Sequence, residues 1–304
     1  MRHPYTLPTL LLALATLLTA CADGDPSPIG PQMERVPVSF STGAYVDVKT
    51  RATEEDFEVG DELGIFAVDT LLAGADTLLA TGNYADNVHY VYDGMVFTPT
   101  DEPIMRDKYS PWAFAYYAVY PYDADMGPKF RFTARTDQRL HADYTGSDLA
   151  MQKLCSRALN VILELKHLMA NMDVRLTGED VDAHETSVEV TSALTTVDVN
   201  LNAQTVRAVE GTEADVTCER YMTGTEECRF RAIIAPQRLM RSKQAIAITV
   251  DGTRYVMELP WDVSIPSNYR LSLVYEMETD DEGYIRIRFG GIETGTNPVD
   301  APTL

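Results

Sequence analysis

Four cysteines, five histidines and 46 aspartates plus glutamates are the side chains through which this 304-residue chain could do chemistry. Their spacing argues against catalysis. His3, His89, His141, His167 and His184 show no metal-ligand spacing, and no G-x-S-x-G elbow, phosphate loop or C-x-x-C pair occurs. His167 continues the inward phase of Val161, Leu163 and Leu165, which predicts a hydrogen-bonded core histidine. The run "DADMG" from Asp123 to Gly127 opens like a calcium loop but lacks the downstream acid an EF-hand needs, so it reads as a solvated turn. With so many acids, neighbouring carboxylates arise by chance and nominate no glycosidase. Trp112, Tyr116, Tyr117, Tyr120 and Tyr122 are candidates for a glycan-binding platform, but their strand-like setting favours core and edge packing. No catalytic residue, cofactor or metal is expected.

The cysteines say more. Arg2 and His3 precede an almost unbroken apolar run from Leu7 to Leu18, the build of a secretory signal peptide over residues 1–20. A membrane-spanning helix needs about 20 apolar residues, more than this run supplies. The run ends in Leu18, Thr19, Ala20 and Cys21, matching the lipobox of bacterial lipoproteins. Cys21 is then the lipid attachment point; ordinary cleavage would leave it a chance thiol. Acyl chains contribute about 0.8 kcal/mol per buried methylene, so two or three of them hold a protein firmly to a bilayer. Ala22 is not the aspartate associated with inner-membrane retention, and Asp23 and Asp25 suit an acidic surface-export signal.

Cys155, Cys218 and Cys228 remain, an odd number for an oxidising compartment. Cys218 and Cys228 flank "ERYMTGTEE". A hairpin loop of Met222, Thr223 and Gly224 would set Tyr221 opposite Thr225 and Cys218 opposite Cys228. That register allows a cross-strand disulfide; two reduced cysteines packed as small apolar side chains is the alternative.

The elements that would position these residues are strands. A polar, proline-bearing tether, residues 21–33, follows the signal peptide. Period-two runs then recur: "DELGIFAV", "HYVYDGMVF", "AFAYYAVYPY", "TVDVNL", "AIAITVDGTRYVMEL", "YRLSLVYEM" and "YIRIRF". Asp251-Gly252 marks a two-residue turn. In "NVILELKHLMANMDVRL" the apolar phase flips near Ala170 and Asn171, which predicts a bulge or bend. The best helix signal is "GSDLAMQKLCSRAL", with Ser147 as its cap. About fifteen short strands with regular turns describe an all-β protein. Two sandwiches are expected, residues 34–180 and 181–304, joined near 178–184. A formal charge of −21 excludes nucleic acid as a partner, while 45% hydrophobic residues exclude a disordered acidic tail.

Taken in order, several stretches resemble the fimbrillin family, the fimbrial subunits of Gram-negative anaerobes. They are "VPVSFST", "VKTRATEEDFEVGDELGIFAV", "YAVYPY", "GSDLAMQ", "VILELKHLMANMDVRL", "FRAIIAPQRL" and "YRLSLVYEM". The resemblance implies two tandem transthyretin-like β-sandwich domains and export as an outer-membrane lipoprotein. It also implies proteolytic processing after an arginine, which maps to Arg51 in "KTRAT" and would expose Ala52. The cut would discard the strands carrying Val36, Val38, Phe40, Val46 and Val48, and a neighbour's strand would fill the groove. At the other end Ile285, Ile287 and Phe289 alternate against Arg286 and Arg288, as a donor strand must. The implied partners are other fimbrial subunits, the outer membrane through the anchor, and host or bacterial surface ligands. The competing reading is a surface glycan-binding lipoprotein of a nutrient-uptake system.

Overall fold

The computed structural model describes residues 34–42, 57–73 and 76–293. Its strands run β1 (Arg35–Pro37), β2 (Ser39–Thr42), β3 (Glu62–Asp69), β4 (Ala85–Tyr92), β5 (Val96–Pro99) and β6 (Met105–Asp107). They continue as β7 (Phe114–Tyr120), β8 (Lys129–Thr133), β9 (Ala150–Ser156), β10 (Asn160–Leu163), β11 (Lys166–His167) and β12 (Ala170–Thr177). Then come β13 (Thr186–Leu194), β14 (Thr196–Asn200), β15 (Thr205–Ala208), β16 (Glu213–Thr217), β17 (Glu219–Thr223) and β18 (Glu227–Ile234). The last are β19 (Gln237–Leu239), β20 (Ala245–Val250), β21 (Thr253–Glu258), β22 (Val263–Ile265), β23 (Arg270–Thr279) and β24 (Ile285–Ile292). Two short helices, α1 (Thr70–Ala73) and α2 (His141–Thr145), interrupt them. The protein is nearly all β, as its alternation predicts. No helix among the described residues is long and apolar enough to cross a membrane.

Eight strands form one sheet in the order β10-β2-β5-β4-β3-β7-β9-β11. Its central strands β3 and β7 are buried on both faces, which explains why "LGIFAV" and "FAYYAV" read as continuous apolar runs. One face carries Phe66, Val68, Ala115, Tyr117 and Val119 against the three-stranded sheet β15-β14-β8. The other carries Leu63, Ile65, Tyr116 and Ala118 into a core shared with Phe40, Phe97 and Val161. Phe40 and Tyr116 lie 5.3 Å apart between ring centroids. In a flat sheet four strand spacings, about 19 Å, would separate them. The sheet therefore curls over this second core.

The C-terminal half is a two-layer sandwich. The sheet β17-β18-β12-β23-β24 faces β16-β13-β20-β21 across a core of Val174, Leu176, Phe230, Ile246, Ile248, Leu273 and Tyr275. A division at residue 180 does not follow the sheets. β12 precedes that point yet lies between β18 and β23 of the sandwich, whereas β14 follows it yet pairs with β8. The phase flip near Ala170 is where the chain leaves the eight-stranded sheet for the sandwich, so it marks a change of sheet, not a bulge. Ser192, with a φ of 50°, breaks the β13 ladder, and between Leu194 and Thr196 the chain passes from the sandwich to the three-stranded sheet.

Three local expectations are corrected. "AMQKLCS" is strand β9, paired with β7 on one side and β11 on the other; its helix-favouring residues yield to tertiary pairing. Ser147 caps no helix: its hydroxyl donates to the Asp143 carbonyl at 2.7 Å and accepts from the Arg135 N–H at 3.0 Å. His167 is half-buried, its Nδ1 lying 2.7 Å from Asp148 Oδ2. It is paired as expected but is not core. The Asp251-Gly252 turn forms as predicted, with φ of 48° and 80° between the paired Val250 and Thr253.

Candidate functional site: the slot of the first strand

β2 is built by the simplest strand code. Val38 and Phe40 point inward at 3% and 0% exposure, while Ser39 faces solvent. Its position is less ordinary. This early strand lies inside the sheet, paired with β5 on one side and β10 on the other. The β5 pairing is antiparallel, Phe40 opposite Phe97; the β10 pairing is parallel, from Ser39 opposite Asn160 to Thr42 opposite Leu163. β10 has no other strand partner in the sheet.

The floor of this slot is aromatic. Phe40 meets Tyr90 and Tyr116 edge-on, with centroids 5.2 and 5.3 Å away. The Tyr90 hydroxyl accepts from the Ile104 N–H at 3.1 Å. Burial raises the Tyr90 pKa and pushes that of Tyr116 up to about 12, so both rings stay neutral. Just before β2, the Val38 N–H donates to the Ile104 carbonyl at 2.8 Å, and β1 pairs antiparallel with β6, Val36 opposite Arg106. Arg106 is 1% exposed and donates to the carbonyls of Trp112 (2.7 Å), Ser110 (3.3 Å) and Ser156 (3.4 Å). It thereby fixes the turn after β6. From that turn Lys108 reaches Glu34 at 3.2 Å, and the Tyr109 hydroxyl donates to the same carboxylate at 3.2 Å.

The second predicted exchange strand, β24, is an edge. It pairs antiparallel with β23 alone, and its Ile285, Ile287 and Phe289 are half-buried against the sandwich core. Phe289 stands edge-on to Tyr275 (5.7 Å) and Trp261 (6.3 Å). Its outward arginines are paired: Arg288 with Glu276 at 2.7 Å and Glu278 at 2.8 Å, Arg286 with Asp280 at 3.6 Å.

The structure thus places Val38 and Phe40 together in the slot, with Val36 on the adjoining β1, and Ile285, Ile287 and Phe289 together on the edge. The two sets belong to different cores. Cys21, Arg51, Ala52, Val46 and Val48 lie outside the described residues. Cys218 and Cys228 are both buried and free. The hairpin turns at Thr225 and Glu226, closed by the Gly224 N–H donating to the Glu227 carbonyl at 2.8 Å, so Thr223, not Cys218, lies opposite Cys228. The aromatic candidates are mostly core: Tyr116 and Tyr117 are 0% exposed on opposite faces of β7, and Tyr122 stacks on His89 at 3.9 Å. Trp112 alone among them is largely exposed. Asp123–Gly127 is a turn closed by the Asp125 N–H donating to Asp123 Oδ1 at 2.9 Å. Among the described residues no cluster of His, Cys, Asp or Glu could hold a metal ion.

Sequence reasoning missed the slot's walls. The turn with Lys108 and Tyr109, the Tyr90–Tyr116 floor and the β10 wall carry no motif. One signal was available: Val161 and Leu163 repeat the spacing of Val38 and Phe40, as two strands sharing one core should.

The fimbrillin-like family model matches residues 50–284. A candidate cell adhesion protein from Bacteroides ovatus ATCC 8483 has a similar structure, with a TM-score of 0.63 at 15% identity, covering 87% of this chain and 99% of that one. A second, from Bacteroides uniformis ATCC 8492, gives 0.58 at 15% identity over 87% and 99%. A third, from Bacteroides fragilis NCTC 9343, gives 0.52 at 13% identity over 88% and 100%. At such identities the likeness is one of fold. No curated protein matches the sequence.

Proposed function

This chain belongs to the fimbrillin-like family, and from that premise we propose that it is a non-enzymatic subunit of cell-surface fimbriae that assembles by β-strand addition and serves adhesion. It reaches the outer membrane as a lipoprotein anchored through Cys21. Cleavage after Arg51 then leaves β1 and β2 without a covalent tie to the rest of the fold, because residues 43–56 are their sole connection to β3 along the chain. When that segment departs, β5 and β10 each lose a ladder partner and the aromatic floor meets water. A neighbour's alternating strand restores both. If Arg51 stays uncut, the protein remains anchored as a basal or accessory subunit.

One observation carries this reading: β2, on the segment ahead of Arg51, is inserted between β5 and β10 instead of lying on an edge. Removing an edge strand leaves an edge, whereas removing β2 leaves a gap. Burial of Phe40 and Val38 contributes roughly 1.5–3 kcal/mol each, and a vacant slot forfeits it. N-terminal sequencing of the protein in purified fimbriae provides the test. A start at Ala52 is expected, and Arg51→Ala should abolish SDS-resistant oligomers. A start only at lipidated Cys21 would reject processing.

A further inference from the structure

A vacated slot keeps two contacts that belong to the rest of the fold. At one end is the socket for the Phe40 ring, made by Tyr90 and Tyr116, both 0% exposed. At the other end is the clasp for the Glu34 carboxylate. Lys108 Nζ lies 3.2 and 3.3 Å from its two oxygens and the Tyr109 hydroxyl 3.2 Å from one of them. The Lys108 N–H also donates to the Glu34 carbonyl at 2.9 Å, extending the ladder to this point. β1 is the only strand partner of β6, but the turn that carries the clasp is also tied from its own side. Arg106 grips the carbonyls of Ser110 and Trp112, and the Tyr109 N–H donates to Asp107 Oδ1 at 3.0 Å. Between clasp and socket the inward positions are those of Val36 and Val38, half-buried and buried.

We propose that the slot selects its incoming strand by these two contacts, taking a carboxylate at the Glu34 position and an aromatic ring at the Phe40 position, with apolar residues at alternate positions between. The inference rests on the strand-addition reading and names the chemistry of the partner segment. It also fixes polarity. A strand entering the same way as β2 runs parallel to β10 and antiparallel to β5. A strand entering the other way would carry its carboxylate into the fully buried tyrosine floor, where an unpaired charge is strongly disfavoured. The clasp therefore admits one direction and the socket rejects the other. The two contacts differ in weight. The socket is dry and aromatic, so it supplies most of the affinity. Lys108 and Glu34 are both largely solvated, so their pairing sets register and encounter more than strength. In a chain of formal charge −21, a cationic clasp is also distinctive enough to steer an acidic strand end.

The experiment uses the full chain with a site-specific protease sequence replacing residues 49–53, cut after folding so that the native strand stays seated. Labelled synthetic peptides spanning residues 34–42 are then offered in excess, and bound peptide is read by native mass spectrometry. The native sequence should exchange in. A Phe40→Ala peptide should bind at least about 100-fold more weakly. A Glu34→Lys peptide should lose about 3- to 10-fold, and Lys108→Glu in the protein should return that loss. Equal exchange of the native, Phe40→Ala and Glu34→Lys peptides would overturn the two-contact selection while leaving strand addition intact. Failure of the native peptide to exchange at all would overturn both. Thermal melts of the uncut Lys108→Glu protein separate a lost contact from a lost fold.

Discussion

β2 and β24 read alike in sequence, each alternating apolar and polar residues near one end of the chain, but the fold uses them in opposite ways. β2 is paired on both sides, and its inward side chains disappear into a core of aromatic rings. β24 is paired on one side, its inward side chains stay half-exposed, and a lattice of ion pairs covers its outer face. Alternation tells which face of a strand is apolar. It does not tell whether the strand is wanted by one neighbour or two. That count separates a strand whose loss opens a gap from one whose loss trims an edge. The largest test of the comparison is therefore a matched pair of truncations. Phe40→Ala should cost about 3–5 kcal/mol in urea unfolding, the range for a fully buried ring, while Ile287→Ala should cost about 1–2 kcal/mol because half of its side chain is already in water. Equal costs would mean that β24 is as integral to its core as β2.

Much of this was legible from residues alone, and what was hidden has a common cause. The all-β class, the inward positions of β2 and β24, and the Asp251-Gly252 turn follow from periods and turn chemistry that act within a few residues. The parallel pairing of Ser39–Thr42 with Asn160–Leu163 joins segments far apart in the chain, and neither segment announces the other. The same holds for β9. "AMQKLCS" has good helix formers, and only the presence of β7 and β11 on its two sides makes it a strand. The Cys218–Cys228 register has a smaller origin. The chain turns at Thr225 and Glu226 instead of at Met222–Gly224, and a pairing inferred by counting back from Gly224 cannot anticipate that. The slot was thus half visible: its occupant could be read, its walls could not.

The two strands should also answer differently to pH. The sheet that carries β24 contains Asp173, 2% exposed on the outward side of β12, accepting from the Tyr221 hydroxyl at 3.0 Å and the Ser272 hydroxyl at 3.1 Å. Burial raises its pKa, only partly offset by Tyr221, Arg229 and Ser272. The folded protein therefore holds this proton to higher pH than the unfolded chain does. Across the window above the ordinary carboxylate pKa, the unfolded state binds fewer protons, so the Asp173 contribution falls as pH rises. Asp173→Asn removes that slope. The urea-midpoint difference between wild type and Asp173→Asn should shift against wild type from pH 4 to pH 6. The cost of Phe40→Ala should be the same at both, because the slot's tyrosines stay neutral throughout. A pH-independent Asp173→Asn difference would contradict the burial argument.

The smallest effect is the most selective. Arg288 lies between Glu276 and Glu278 at 2.7 and 2.8 Å, a geometry that looks strong on distance alone. Its side chain is 64% exposed, however, and its partners 39% and 57%, so water screens both contacts. Exposed pairs contribute about 0.2–1 kcal/mol, and one arginine shared between two carboxylates on an edge belongs within that range. Arg288→Ala should therefore cost less than about 1 kcal/mol at low salt. The difference should vanish near 1 M salt, where the Debye length falls to about 3 Å. The Phe40→Ala cost should not shrink with salt, since the rings that meet Phe40 are the neutral Tyr90 and Tyr116. If the Arg288→Ala cost persisted in salt, the edge would be held by the packing of the arginine stem over β23. β24 would then resemble β2 in kind and differ only in degree.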